Sequence, residues 1–313
     1  VRCKKDKSER GGKKLAKFKQ SITCSYTPSI LGYYALSQWL KGAGNVPASV
    51  IRTMPLDKHQ VVMKLGSVGR LSKMWALFKK IYKNPAGYPT IVTSDKEQIY
   101  GALSKNPSGE VLYTAFYGPN HTYDKGLWAF LQTQVYKAVS NPDALTLPKE
   151  FNQTLAQKIQ AMKDASDMIV MDTMMNQQDR FGNVHSQPYY HYIEEGKLNS
   201  ESANNLTPEQ IAALKAKGAV LVKELLMKDN DCGVVKTNHF ANNKILETVR
   251  HISPVTYYAI LKLHVAAQEA SFKEYLKHEL LFTENDISSS RGVLTNLKKI
   301  VNVLKTNCKA GLL

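Results

Sequence analysis

The sequence predicts an α+β fold with two unequal lobes, a small β-containing one at the amino-terminal end and a larger, mainly helical one after it. A length of 313 residues allows two lobes with a cleft between them. Runs typical of strands occur before residue 120, whereas apolar residues at helical spacing dominate from residue 126 on. We therefore divide the chain into a basic arm (1–20), a small lobe (21–120) and a large lobe (121–313).

The charge balance is strongly basic. Lys and Arg number 42 against 26 Asp and Glu, which gives a formal net charge of +16. A charge of this size favours polyanionic partners, such as nucleic acid, anionic lipid or inositol phosphates, without choosing among them. The sequence contains no run of 18 apolar residues, so we predict no transmembrane helix and expect a soluble protein.

The four cysteines are widely spaced and form no CxxC pair. This pattern predicts free thiols in a reducing compartment and no zinc site.

The basic arm has nine Lys and Arg against two acidic residues. It is interpreted either as a solvated tail or as a phosphate-binding arm. The next segment predicts a helix over 27–42, because Thr27 can cap it and Pro28 suits its first turn.

Two strands are predicted over 48–54 and 59–65, and the second carries Lys64 directly after three apolar residues. Residues 70–83 predict an amphipathic helix with five basic residues and no acid. Such a helix is typical of a docked surface helix with a solvated face, and a membrane-surface helix has a similar pattern.

Residues 94–97 match a capping box ahead of the apolar run 99–103. Glu97 is therefore interpreted either as a helix cap or as the partner of a phosphate-binding lysine. A strand over 110–117 ends the small lobe.

The large lobe is predicted to be mainly helical. The segments that predict its helices are 126–140, 148–171, 211–217, 254–281 (one helix or two) and 289–304. Strands are predicted over 189–193 and 219–227, and a polar loop over 199–206.

Two polar segments carry the chemistry. Asp179 and Arg180 follow a long helix, and Asn183 comes shortly after them. The acidic turn 228–233 follows the predicted strand 219–227. Metal-dependent phosphoryl transfer uses one carboxylate to orient the attacking hydroxyl, and an amide and a second carboxylate to hold the metal on the nucleotide phosphates.

The order of these segments along the chain resembles the atypical branch of the protein kinase superfamily. This branch includes the secretory-pathway casein kinases, the bacterial toxin kinase HipA and the phosphoinositide lipid kinases. The resemblance is strongest over 172–185 and 225–234 and implies a two-lobed kinase-like fold that uses ATP with Mg²⁺ or Mn²⁺.

The resemblance implies a role for each candidate residue. Asp179 would orient the acceptor hydroxyl, and Asp229 and Asn183 would bind the metal. Lys64 would hold the α- and β-phosphates, with Glu97 as its partner.

The sequence departs from the family pattern in several places. Asn183 follows the catalytic acid by four residues rather than five, so His185 or Asn176 is an alternative ligand. Asp231 is an alternative to Asp229 as the metal ligand. No Gly-rich loop precedes the candidate lysine, and no Ala-Pro-Glu segment follows the acidic turn.

The excess of basic residues suggests a second ligand. The resemblance includes bacterial effector kinases that are activated by a eukaryotic cofactor, and inositol hexakisphosphate would suit clustered lysines. The candidate donors are Lys13, Lys14, Lys17, Lys19, Arg70, Lys73, Lys79, Lys80 and Lys83. The alternative is a scattered basic surface that serves solubility.

The preferred interpretation is a monomeric protein kinase that phosphorylates Ser or Thr of a protein, as a bacterial effector in a host cytosol or at an anionic membrane. One alternative keeps the fold and changes the acceptor or the transferred group, to a lipid, AMP or an amino acid. Another is a non-enzymatic polyanion- or membrane-binding protein. No RNA- or DNA-binding signature is present, so nucleic acid is not the expected partner.

Overall fold

The computed structural model of the protein describes residues 15–66, 72–117, 126–144, 153–234, 239–242 and 244–313. Lys13, Lys14 and Arg70 of the predicted polyphosphate set lie outside the described residues, as does the side chain of Lys73.

The small lobe contains a three-stranded antiparallel sheet of β1 (Ala16–Lys19), β2 (Ser49–Pro55) and β3 (Gln98–Lys105), with β3 in the middle. Helices α1 (Thr27–Trp39), α2 (Leu56–Leu65) and α3 (Ser72–Lys83) accompany it. The predicted helix over 27–42, strand over 48–54 and helix over 70–83 are confirmed, apart from their ends.

The prediction of a strand over 59–65 is wrong, because these residues form most of α2. Val61 and Val62 favour a strand, but the buried side chains of α2 are His59 and Met63, which are four residues apart and share one helix face. Met63 packs there in a small core with Phe78 of α3. Tertiary packing decides the conformation of this short segment.

The prediction of a helix after the capping box 94–97 is also wrong. Residues 98–105 form the central strand β3, and Glu97 is exposed in the turn before it. In that turn the Thr93 hydroxyl donates a hydrogen bond to the Asp95 carboxylate at 2.5 Å. A Cβ at Gly101 would lie 2.4 Å from the Phe18 ring, so the glycine lets β1 approach β3 closely.

The large lobe is built on the long helix α6 (Gln153–Met175), whose last turns are fully buried. A second antiparallel sheet covers it, made of β4 (Val111–Leu112), β5 (Val184–Glu194), β6 (Lys197–Ser202) and β7 (Val220–Met227). Strand β5 pairs with β7 along one edge and with β4 and β6 along the other.

The remaining helices complete this lobe. They are α4 (Gly126–Leu131), α5 (Gln134–Val139), α7 (Pro208–Ala216), α8 (His239–Asn242), α9 (Pro254–Ala266), α10 (Ala270–His278), α11 (Glu284–Ser288) and α12 (Val293–Lys309). The predicted α+β class with two unequal lobes is confirmed. The boundaries 21–120 and 121–313 stay a prediction.

Some predictions for the large lobe are corrected in detail. The predicted loop 199–206 includes part of strand β6, and the predicted strand 110–117 is reduced to β4 and a turn. The segment 254–281 forms two helices, α9 and α10. Among the described helices, none combines the length and apolar character needed to cross a bilayer.

Cys24 and Cys232 form a disulfide across 208 positions of sequence. The prediction of free thiols is therefore wrong for this pair, and the inference of a reducing compartment loses its basis, because disulfides persist in oxidising surroundings. Cys308 is free and exposed. Sequence spacing could not reveal a bond between two cysteines that only the folded chain brings together.

Candidate active site

The acidic turn follows strand β7 directly. Asp229 adopts a left-handed backbone conformation with φ 54°, which bends the chain sharply after Lys228. Asn230 is buried, and its side-chain amide donates to the carbonyl of Met227 at 2.8 Å. With Asn230 turned into the protein, the carboxylates of Asp229 and Asp231 remain partly exposed.

Two lysines of β1 face these carboxylates. Because side chains alternate along a strand, Lys17 and Lys19 share the face of β1 opposite to Phe18. Lys19 Nζ lies 2.7 Å from Asp229 Oδ1 and 3.0 Å from Asp231 Oδ2. Lys17 Nζ lies 3.6 Å from Asp229 Oδ1. Two positive and two negative charges therefore meet where the small lobe contacts the acidic turn.

These contacts shift the pKa values of the groups involved. Burial by itself would raise the pKa of Asp229, but Lys19 and then Lys17 and Lys228 outweigh it and lower the pKa to about 2. Burial likewise opposes the charge on Lys19, yet Asp231 and Asp229 raise its pKa above the usual value. Asp229 is thus ionised at neutral pH, as a cation ligand must be.

The segment that carries Asp179 is fixed against this turn by its neighbour Arg180. The guanidinium of Arg180 binds Asp172 of α6 through two hydrogen bonds of 2.8 and 2.9 Å. It also donates to the side chain of Asn230 at 2.7 Å and to the carbonyl of Lys228 at 3.3 Å. The residues on either side of Asp229 are therefore bound to the residue that follows Asp179.

Asp179 itself is exposed. The side-chain amide of Asn183 donates to the Asp179 carbonyl at 3.1 Å, so this tight loop holds the two predicted residues together. Asn176 instead donates its amide to the carbonyls of Val234 and Arg291, which are contacts within the fold. His185 is the second residue of β5 and pairs with Leu226 of β7. Burial, and next to it the positive charge of Lys228, lowers the pKa of His185.

The structure does not place Lys64 where the resemblance puts the phosphate-binding lysine. Lys64 is exposed on helix α2, and Glu97 is exposed in the turn before β3. Lys17 and Lys19 of β1 contact the acidic turn instead. Both were predicted, but only as donors to a polyphosphate. The alternation of Lys17, Phe18 and Lys19 is the sequence signal that could have indicated a paired role.

The remaining described members of the polyphosphate set lie elsewhere. Lys79, Lys80 and Lys83 are exposed on α3. The predicted donors thus belong to two different elements, and those of β1 are already paired with carboxylates.

A cleft opens from the charged cluster. Its inner part is a small cavity of about 40 Å³, lined by Lys17, Lys19 and Asp229 together with Ile30 and Val46. It shares Val46 and Lys105 with a larger neighbouring space of about 420 Å³. The outer space is lined by Tyr34, Tyr189 and Leu226, among others. The inner part of the cleft is therefore lined by charged side chains, and the outer part carries apolar side chains together with the amides of Asn106, Gln187 and Asn204.

The side chains at the turn fit a hard divalent cation. Carboxylate and amide oxygens are the ligands that Mg²⁺ and Mn²⁺ prefer; Asp229 and Asp231 of the turn carry carboxylates, and Asn183 of the separate Asp179 loop carries an amide. Within the described ranges, no group of three or more His, Cys, Asp and Glu side chains is close enough to hold a metal alone. A metal here would need phosphate oxygens as further ligands, as is usual for Mg²⁺ bound with a nucleotide.

The charged cluster and the cleft thus lie together at the acidic turn. No protein-family model matches the chain, and no curated protein matches it. Among solved structures, the golgi casein kinase is similar, at 11% identity and a TM-score of 0.48, over 94% of this chain and 66% of that one.

A second similar structure is the Golgi casein kinase with Mn/ADP bound, also at 11% identity and a TM-score of 0.48, over 95% of this chain and 68% of that one. The chain spans just under two thirds of the first neighbour's length. A likeness of this degree carries no argument about activity.

Proposed function

We propose that the protein transfers the γ-phosphate of ATP to a Ser or Thr hydroxyl of a protein substrate, with Mg²⁺ or Mn²⁺. The observation that carries the proposal is the meeting of Lys17 and Lys19 with Asp229 and Asp231 beside the inner part of the cleft. Phosphoryl transfer is mostly a matter of positioning and of neutralising charge, and this cluster offers both.

Each side chain has a distinct part in the proposed reaction. Asp229 and Asn183 would hold the divalent cation, which supplies neutralisation of the phosphate charge when it is bound. Lys19, once released from Asp229, would donate hydrogen bonds to phosphate oxygens, with Lys17 beside it. Asp179 is exposed and would accept a hydrogen bond from the substrate hydroxyl and orient it.

The buried network behind the cluster supports this assignment. The guanidinium of Arg180 donates hydrogen bonds to Asp172, to Asn230 and to the carbonyl of Lys228. These bonds hold the loop with Asp179 against the turn with Asp229. A catalytic arrangement needs such support, because small displacements of reacting groups reduce the rate strongly.

The cleft supports a nucleotide as the ligand. The lysines of its inner part would bind the phosphates, and its outer part, lined by Tyr34, Tyr189 and several side-chain amides, would take the base. Activation by inositol hexakisphosphate and action as a bacterial effector stay predictions.

Calorimetry and transfer assays test the proposal together. Asp229→Ala should abolish Mn²⁺-dependent ATP binding, because it removes the carboxylate that would hold the metal. Asp179→Ala should retain ATP binding and lose transfer, because Asp179 would act on the acceptor only. Asp143→Ala, at an exposed turn away from the site, is the matched control and should leave both unchanged.

The mass of the modified substrate identifies the transferred group, since a phosphoryl group adds about 80 Da. A larger adduct would replace phosphorylation by another transfer reaction. If Asp179→Ala and Asp229→Ala both keep full activity, the site is assigned wrongly. Repeating the titration with inositol hexakisphosphate tests the predicted activator.

A further inference from the structure

Helices α2 and α3 present an outer face of lysines and aliphatic side chains, here called the α2–α3 face. On α2 it includes Lys58, Val61, Lys64 and Leu65, and on α3 it includes Leu77, Lys79, Lys80 and Lys83. All of these residues are exposed, and Val61, Leu65 and Leu77 are 56%, 66% and 38% exposed. The only acidic residue in the two helices is Asp57, which lies 3.8 Å from Lys58.

The two helices expose this face because they share a core on their other side. Met63 of α2 packs with Phe78 and Ile81 of α3, and this cluster also includes Ile99 of the central strand β3. The buried side chains therefore point toward the sheet, and the lysines and aliphatic groups point away from it.

The combination of charges and aliphatic groups selects the kind of partner. A soluble polyphosphate would pair with the lysines and leave Val61 and Leu65 in water. Nucleic-acid phosphates would also pair with the lysines, but aliphatic side chains do not stack with bases and would stay in water. An anionic bilayer satisfies both groups, because its headgroups attract lysines and its acyl boundary accepts aliphatic side chains.

We propose that the α2–α3 face docks on an anionic lipid surface. The net charge of +16 adds a longer-range attraction to the same surface.

The face is connected to the charged cluster by a chain of hydrogen bonds. Tyr82 of α3 is hydrogen-bonded to His59 Nδ1 of α2 at 2.7 Å, and His59 Nε2 to the side chain of Gln20 at 2.6 Å. Gln20 directly follows Lys19. Burial lowers the pKa of His59 to about 4, so the ring is neutral at neutral pH. Docking of the α2–α3 face would therefore also fix the orientation of the cleft relative to the bilayer.

Vesicle co-sedimentation of the full chain tests the proposal. The probes are phosphatidylcholine vesicles with and without about 20% phosphatidylserine, a composition with the negative surface potential that attracts basic segments. We expect binding only to the anionic vesicles. The triple variant Lys79→Glu, Lys80→Glu, Lys83→Glu should weaken this binding by about tenfold or more, because it reverses three charges at the surface.

Two further variants separate docking from general charge attraction. Val61→Ser with Leu65→Ser leaves the net charge unchanged and should weaken binding by roughly fivefold, through the loss of aliphatic insertion. Lys298→Glu, Lys305→Glu and Lys309→Glu on α12 make the same charge change on exposed residues elsewhere and should change binding by less than about twofold. Thermal melting of each variant checks that it is folded.

Three results would overturn the proposal. The first is equal loss of binding in the α3 and α12 triple variants. The second is unchanged vesicle binding in the Val61→Ser, Leu65→Ser variant, which would indicate charge attraction alone. The third is that the parent protein does not bind the anionic vesicles. Binding of soluble tripolyphosphate that the α3 triple variant loses would then indicate a polyphosphate as the partner of these lysines.

Discussion

The guanidinium of Arg180 and the carboxylate of Asp172 form a fully buried two-point ion pair, with Nε–Oδ2 and Nη2–Oδ1 distances of 2.8 and 2.9 Å. The hydroxyl of Tyr33 donates to the same carboxylate at 2.6 Å. Asp172 belongs to α6, Tyr33 to α1, and Arg180 to the loop beside the acidic turn. The pair thus joins the central helix, a helix of the amino-terminal part and the candidate active site.

Arg180→Lys should destabilise the protein by about 3–5 kcal/mol, because it leaves the buried Asp172 carboxylate without its two-point partner. Urea denaturation measures the change. Lys217→Gln breaks the exposed pair with Glu194, whose N–O distance is 2.7 Å, and should cost less than about 1 kcal/mol. Similar small effects in both variants would mean that Arg180 contributes little to the fold.

Lys19→Met should lower kcat/KM for ATP by roughly a hundredfold, because removing one charged donor from a transition state has a cost of that order. Lys64→Met should change it by less than about twofold, because Lys64 lies exposed on α2. Initial rates at varied ATP concentration measure both effects. The opposite ranking of the two variants would restore the role that the resemblance implied for Lys64.

Stability should fall as the pH rises from about 4 to about 8, in part through Asp164. Burial, with Asp167 and Glu224 nearby, raises the pKa of Asp164 to about 8 although Lys163 opposes the shift. Between those pH values the folded chain keeps the proton and the unfolded chain, with an ordinary pKa near 4, loses it. The loss is at most about 1.4 kcal/mol per pH unit from this group.

Asp164→Asn removes that titration and should flatten the dependence. Urea midpoints of the parent and the variant at pH 5, 6, 7 and 8 measure the difference between their slopes. Parallel curves would show that Asp164 is ionised in the folded protein over this range.

Reduction of the Cys24–Cys232 disulfide should lower the free energy of unfolding by about 2–4 kcal/mol, because it releases a long closed loop in the unfolded chain. Cys24→Ser should give the same loss and be insensitive to reductant. Cys308→Ser is the control, since this cysteine is free and exposed. Denaturation of the parent with and without reductant measures the effect, and an unchanged midpoint would contradict it.

The sequence predicts the fold well where the local signals agree with the packing. Helix α7 forms where a helix was predicted over 211–217 and begins at the capping box of Thr207 and Gln210, and Pro28 lies in the first turn of α1 as predicted. It fails where the signals are ambiguous. The run with Val61 and Val62 is short and rich in β-branched residues, and only its packing against α3 makes it helical.

The candidate site is predictable to a similar extent. The spacing of Asp179 and Asn183 is a local pattern, and the structure links their segment to the turn of Asp229 through Arg180. The lysine partner of Asp229 is not local, because Lys19 and Asp229 are 210 positions apart. The alternation of Lys17, Phe18 and Lys19 indicates that the two lysines share a face but not which carboxylates they meet, and the disulfide poses the same difficulty.

The disulfide also constrains when the protein can mature during synthesis. Cys24 and the lysines of β1 leave the ribosome long before their partners, because Lys19 and Asp229 are 210 positions apart and Cys24 and Cys232 are 208 apart. Strand β1 must therefore wait for the acidic turn before its charges are neutralised and its cysteine is oxidised. Nascent chains that end before the acidic turn should bear an accessible thiol at Cys24.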